Sequence, residues 1–306
     1  MYSIVFRAMG CQMTALLDDE TPAGDAAIRA VPSWFEEWEQ RLSRFRETSE
    51  LAQLNRAAGT PLHVSEILWQ VIDVALDAAD ASDGLVTPTV IGALEAAGYD
   101  RSFAEIAAHG AAAAYGTAPI ADWRAIERDA DSRTVRLPHG IRLDLGGVAK
   151  VWAADTAALR LAAHGPALVD ASGDIALSSP RRGGQPWEIG IADPLAPDKD
   201  RALLLIERGG VATSGKDYRR WQRDGRWQHH IIDPRTGRPA ETDVLSATAI
   251  GPSACAAEIA AKVALILGVA AGRRWIDARP AIAGMLIGED GSVAESRAMA
   301  SYGEGR

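Results

Sequence analysis

Apolar and polar residues alternate between 2 and 18 with a break at Met9-Gly10, the two-residue period of a strand interrupted by a turn former. The period then lengthens. Trp34, Phe35, Trp38 and Leu42 fall at helical spacing within 24–46, an aromatic stripe that reads as core rather than as a cofactor box. Thr48 and Ser49 offer capping hydroxyls for a short helix that ends near Asn55 and Gly59, and a longer helix follows over 64–82. Thr87-Pro88-Thr89 breaks the chain between helices within 84–98, and 103–125 is alanine-rich and weakly patterned. Two short strands are expected in 134–145 around Pro138-His139-Gly140, and the glycines of Asp144-Leu145-Gly146-Gly147-Val148-Ala149-Lys150 open a helix reaching about His164. The stretch 167–177 reads as a strand broken by Ser172-Gly173-Asp174, and strands resume at 187–192 and 202–213. Ser253 is the expected N-cap of the last long helix, which runs to Leu267 with a closely packing alanine face. The polar end, from about 290 to 306, is expected to be loose. No repeat, linker or composition shift divides the chain, so a single domain over 1–306 is expected.

Composition narrows the class. With 306 residues, 47% of them hydrophobic, the chain can bury a large core, in one big domain or two intimate lobes. A net charge of −9 argues against nucleic acid as the main partner, because phosphate contacts need a basic surface, although a local anion site remains open. Cys11 and Cys255 are too few for a disulfide framework or a four-ligand zinc site and read as small buried hydrophobes. The first 20 residues show neither a basic segment followed by an apolar core nor a lipoprotein signal ahead of Cys11, so a cytoplasmic location is expected. No stretch approaches the roughly 20 apolar residues of a membrane-spanning helix.

Candidate chemistry gathers in 210–239, where Thr213, Ser214, His229, His230 and Asp233 stand at the ends of two apolar pieces too short to build a core. Asp233-Pro234-Arg235-Thr236-Gly237 is a tight turn, and its plain reading is a well-capped hairpin. On a strand the two histidines point to opposite faces, so one can face a cleft as a base oriented by Asp233 while the other serves the core or meets solvent. In DLGGVAK, exposed N–H groups and a helix N-terminus attract phosphate and Lys150 adds a full charge, although two glycines before a helix also simply permit close packing. Only Lys150, Lys199, Lys216 and Lys262 are lysines among 32 basic residues, which makes lysine beside Gly-Gly and within TSGKD pointed. Asn55 on its own reads as a helix C-cap.

Taken in order, these motifs resemble the ApbE family of FAD:protein FMN transferases. The resemblance spans most of the chain and rests on Ala8-Met9-Gly10, Ser43-Arg44-Phe45, SELAQLN, GLVTPTV, DLGGVAK, 169–175, 190–194, ATSGKDYRRW, HHIIDPRTG and the helix after Pro252-Ser253-Ala254. It implies an α+β fold with mixed and antiparallel sheets, packed helices and a flavin cleft between two intimate lobes. It also implies FAD as donor, Mg²⁺ near the pyrophosphate, and FMN moved to a threonine hydroxyl of an acceptor flavoprotein with release of AMP. Members that hydrolyse FAD to FMN and AMP, or a flavin-binding protein that has lost efficient transfer, are the alternatives. The resemblance places Met9, Phe45, Asn55, Leu85, Val86, Thr87, Asp144, Lys150, Thr213, Ser214, Gly215, His230 and Ile231 around FAD. His230 is the candidate base or orienting residue, with Asp233 holding the local geometry. Phe45 stands where the family often carries tyrosine, which keeps stacking and loses a hydroxyl contact.

The departure lies at the metal. Where the family places an aspartate and, four residues on, a threonine, this chain has Glu258 and Lys262, with Gly147 as the backbone-oxygen counterpart in the DLGG loop. The extra methylene of glutamate shifts the carboxylate, Mg²⁺ demands near-ideal octahedral geometry, and a protonated lysine cannot ligate. The plain reading is an i,i+4 helix salt bridge worth about 0.2–0.5 kcal/mol. The sharper expectation is that the Lys262 ammonium sits where the metal charge would be, making FAD binding partly or wholly independent of Mg²⁺.

Overall fold

The alternation at the start of the chain folds into two strands, β1 (Tyr2–Ala8) and β2 (Cys11–Leu17), in a computed structural model that describes residues 1–111, 118–223 and 225–303. Met9 and Gly10 both take positive φ, 49° and 72°, as a two-residue type I′ hairpin turn requires, and the register pairs Ala8 with Cys11. Six more strands complete the sheet: β3 (Ala167–Asp170), β4 (Ile175–Leu177), β5 (Gly209–Gly215), β6 (Val244–Gly251), β7 (Ala283–Gly288) and β8 (Val293–Glu295). They lie side by side in chain order, each antiparallel to its neighbours. The described helices are α1 (Pro22–Leu42), α2 (Glu50–Arg56), α3 (Glu66–Ala81), α4 (Ile91–Ala96), α5 (Phe103–His109), α6 (Ala149–Leu161), α7 (Ala254–Leu267) and α8 (Val269–Asp277).

Two compact units emerge. The first comprises Met1–Phe35, Lys150–Asp217 and Glu241–Arg306, and the second Glu36–Ala149 and Tyr218–Ala240. The chain therefore crosses between them after Phe35, Ala149, Asp217 and Ala240, twice inside a continuous helix, which explains why no linker shows in the sequence.

In the first unit the eight-stranded sheet is covered on both faces. Leu168, Leu177, Val211, Ile250, Met285 and Ile287 form one core with Trp187, Ile189, Leu204 and Ile206 of the long hairpin Trp187–Asp193/Ala196–Ile206. On the other face the two-residue period aligns Gly210, Ala212 and Ser214 of β5 with Gly251, Ala249 and Ala247 of β6. These small residues admit α7, whose Ala260 and Ala261 pack on Ala249. The fit is tight enough that a Cβ on Gly210 would overlap the backbone of Ser253 and Ala254. Ser253 caps α7 as expected, its hydroxyl accepting from the Ala256 N–H at 3.1 Å. Asp155 of α6 adds a second cap, accepting from the N–H groups of Ala254 and Cys255 at 2.9 and 3.0 Å.

The second unit has its own core of Ala93, Leu94, Ala97, Tyr99, Ile106, Trp221 and Ile232. It carries a three-stranded sheet, Leu62–His63 and Glu127–Asp129 flanking Thr134–Arg136, and two small hairpins, Arg220–Arg223/Arg226–His229 and Ile232–Asp233/Arg238–Pro239.

Three expectations are corrected. Only Thr134–Arg136 of 134–145 is a strand, because Pro138 lacks an N–H and Gly140 turns the chain at φ 85°. Asn55 is not a C-cap, since α2 continues to Arg56 and is closed by Ala57. The end is not loose from 290: β8 pairs with β7, Met299 joins the sheet core, and the Leu205 N–H donates to the Tyr302 carbonyl at 2.9 Å. The weakly patterned 103–125 contains α5, while 112–117 lies outside the described residues.

Candidate active site

The DLGG loop belongs to the second unit and is pinned from three sides. Asn55 brackets Leu143 as a strand partner would: its Nδ2 donates to the Leu143 carbonyl at 2.9 Å, and its Oδ1 accepts the Leu143 N–H at 2.7 Å. The next residue, Asp144, donates its N–H to the Pro88 carbonyl at 2.8 Å. Its carboxylate accepts from the Gly146 N–H at 2.6 Å and pairs with Arg44 Nε at 2.7 Å, both side chains being buried. Asn55 thus positions the loop, and Arg44, which stood in the quoted SRF motif without a role, holds its carboxylate.

Arg44 also organises the aromatic residues beside it. Its guanidinium lies 4.1 Å from the Phe45 ring centre and 5.0 Å from that of Tyr99, and it donates to the Tyr99 carbonyl at 2.9 Å. Tyr99 stacks on Trp221 at 5.6 Å, and Trp221 Nε1 donates to the Ala97 carbonyl at 3.0 Å, so the ladder is anchored in the unit's core. Phe45, at its outer end, is 43% exposed, leaving ring surface for a planar ligand.

Leu85, Val86 and Thr87 follow the end of α3, where Asp83 and Gly84 both take positive φ. The Ser82 hydroxyl accepts the Val86 N–H at 2.9 Å. Thr89 gives its hydroxyl proton to the Ala121 carbonyl at 2.8 Å, so Thr87, 2.9 Å away, donates to Thr89.

The two histidines differ in burial, and only His229 lies on the strand. His229 is buried, accepts the Ile231 N–H on Nδ1 at 3.3 Å and therefore donates from Nε2 to the Ala240 carbonyl at 3.1 Å. That lock is structural. His230 is half-buried and follows the strand, which ends at His229. Asp233 is buried, and its carboxylate takes the Arg235 N–H at 2.9 Å and the Arg235 guanidinium at 2.8–3.2 Å, while its carbonyl accepts from Thr236 and Gly237. Asp233 accordingly shapes the turn after Ile231 and is engaged as a positioning group.

In the first unit Glu258 and Lys262 of α7 meet Ser214 of β5. Glu258 lies over β5, where the Ser214 hydroxyl donates to its Oε2 at 3.2 Å, and its Oε1 pairs with Lys262 Nζ at 2.8 Å. Lys150, at the start of α6, pairs with Asp174 at 2.6 Å, a residue whose role the broken strand 167–177 did not disclose. Burial pushes the Glu258 carboxyl above its ordinary range; Lys262 and Lys150 pull it down and Asp174 pushes it up, so both ion pairs act on one buried carboxyl. Thr213 faces away from α7 and shares a hydrogen bond of 2.9 Å with Thr248. Gly215, beyond Ser214, leads to Lys216, which is tied to Glu289 and the Thr242 carbonyl. Met9 occupies the β1–β2 turn.

This group does not suit Mg²⁺. Two ammonium ions cancel two carboxylates, whereas a hard divalent ion needs uncommitted oxygens in octahedral array. Mg²⁺ about 4 Å from an ammonium would be repelled by roughly 8 kcal/mol at an effective dielectric near 20, twice the value for unit charges. Among the described residues no three His, Cys, Asp or Glu side chains are grouped to hold a metal ion. The Gly147 carbonyl is carried by the DLGG loop and, as a neutral ligand, does not alter this balance.

Comparison with known proteins agrees with the motif order. The model of the ApbE family matches residues 9–286. The FAD:protein FMN transferase of Treponema pallidum is 33% identical over 291 residues, covering 87% of this chain and 79% of that protein. The Vibrio cholerae protein of the same name is 27% identical and covers 85% and 79%. The crystal structure of the ApbE protein of Thermotoga maritima superposes with a TM-score of 0.85 at 24% identity over 99% of both chains, and that of the Pseudomonas stutzeri flavinyl transferase ApbE with 0.82 at 22% over 100% and 97%. The fold is thus the α+β fold of those proteins. With the family model spanning the motifs from the Met9 turn to β7, this chain belongs to the ApbE family.

Proposed function

We propose that this protein is an FAD:protein FMN transferase, which moves FMN from FAD to a threonine hydroxyl of an acceptor flavoprotein and releases AMP. The observation that carries the reading is the 33% identity to a transferase of that name over 87% of the chain, beside this chain's own DLGGVAK, ATSGK and HHIIDPRTG.

The residues support a direct displacement. The threonine Oγ forms a bond to the phosphorus on the FMN side of the diphosphate, the bond from that phosphorus to the bridging oxygen breaks, and AMP leaves with the electron pair. The hydroxyl proton passes to His230, the base that the family resemblance implies, while His229 is committed to Ile231 and Ala240. Asp233 and Arg235 hold the turn that follows. Phe45 stacks on flavin, backed by Arg44; Leu85, Val86, Thr87, Asp144 and the Ile231 backbone line the ligand; Asn55 fixes the loop that carries Asp144. Ser214, on the α7 face of its strand, holds Glu258, and Lys150 supplies cationic charge toward the phosphates. Since the residues present do not suit Mg²⁺, no step is assigned to it.

Incubation with FAD and a flavoprotein bearing an accessible threonine separates the readings. Covalent FMN on the acceptor together with AMP supports the transferase. Free FMN with AMP identifies a pyrophosphatase, and bound but intact FAD identifies a binding protein.

A further inference from the structure

We propose that Lys262, held by Glu258, is a built-in cationic partner for the FAD diphosphate, so that this protein binds FAD without Mg²⁺. The inference rests on the flavin-transferase reading and specifies how its donor is held. Lys262 and Glu258 are one turn apart on α7, and the carboxylate is fixed twice, by the ammonium at 2.8 Å and by the Ser214 hydroxyl at 3.2 Å. Such a pair is not the solvent-exposed helix salt bridge that its spacing alone suggests, for the two side chains are only 14% and 11% exposed. Burial holds the ammonium in one place. A lysine so placed presents a point charge already positioned, with little rotamer freedom left to lose when an anion arrives.

The second pair makes the assignment collective. Lys150 is bound to Asp174 at 2.6 Å, and both members of that pair act electrostatically on Glu258. The two carboxylates are the more deeply buried members, at 11% and 6%, and the two lysines, at 14% and 18%, lie nearer to solvent. In each pair the ammonium is thus the more exposed partner, the one left accessible to an anion. The same four residues without the Lys262 charge would leave a net negative group, as a metal requires.

FAD titrations by calorimetry, in EDTA and in Mg²⁺, on the wild type, K262T and E258D/K262T test the proposal. The wild-type Kd is expected to agree within about twofold between the two buffers, while K262T loses about tenfold or more in EDTA. E258D/K262T is expected to regain at least part of that loss when Mg²⁺ is added, and Mg²⁺ alone titrated into the wild-type protein is expected to give no binding heat. A wild-type affinity that falls about tenfold in EDTA overturns the proposal and leaves the flavin reading standing. Wild-type protein that binds FAD in neither buffer overturns the flavin reading itself. The wild-type arm decides the matter even if a variant folds poorly.

Discussion

The Ile231 N–H points at Nδ1 of His229, and that contact fixes the ring as neutral with its proton on Nε2, facing the Ala240 carbonyl. Removing such a buried ring leaves one donor and one acceptor without partners, so H229A is expected to lower stability by about 1–3 kcal/mol, read as a lower urea midpoint. H230A is expected to lower transfer by about 10²–10⁴, the range for loss of a general base, with a smaller loss of midpoint than H229A. The opposite assignment of effects would mean that His229 carries the chemistry. The sequence reading placed both histidines on a strand, whereas the strand ends at His229, and the lock on His229 depends on Ala240, 11 residues away, a contact that no local pattern reveals. Arg44 illustrates the same limit. Its partner Asp144 is 100 residues distant in the chain, and the buried pair is recognisable only in the fold. R44A would leave the Asp144 carboxylate without its counter-charge and is expected to cost about 3–5 kcal/mol in chemical unfolding.

Helix α7 and strand β5 show how an element can be designed by what it lacks. Gly210, Ala212 and Ser214 leave space for α7 on one face, and G210A would drive a methyl group into the Ser253-Ala254 backbone. Overpacking of this kind costs about 1–3 kcal/mol, so G210A is expected to lower the melting temperature measurably, and an unchanged melt would contradict the packing described. At the N-terminus of α7, burial raises the Asp155 carboxyl above its ordinary range, outweighing the opposing N–H bonds from Ala254 and Cys255. A raised folded-state pKa gives a contribution that is full below the unfolded value, 3.8, and is lost as pH rises through the folded value. Denaturation from pH 4 upward should therefore show the stability of the wild type relative to D155N declining; a relative gain would reverse the sign of the argument. The capping of α7 by Ser253 was legible in sequence, because a hydroxyl before an apolar run has a local meaning. Strand β7 was not, since all six of its residues are buried and a strand covered on both faces loses its alternation.

At the scale of the molecule, an antiparallel sheet in chain order carries long insertions, and the second unit is assembled from two separate segments. That arrangement hides unit boundaries from composition, because the crossings at α1 and α6 fall inside regular helices. The motifs remained legible because each is contiguous and has a local turn or cap, whereas the pairing of Asn55 with Leu143 or of Lys150 with Asp174 needs the folded chain. The Glu258–Lys262 pair was visible as spacing, and its burial beneath β5 is what turns an ordinary helix pair into a structural charge. The central claim is the transfer of FMN itself, and it is tested most directly by the intact mass of an acceptor flavoprotein after incubation with FAD and this protein, with AMP counted in the same sample. The account predicts one phosphoester-linked FMN per acceptor, absent when the target threonine is replaced by alanine, and one AMP for each FMN attached. An acceptor of unchanged mass, whether or not AMP accumulates, would contradict it.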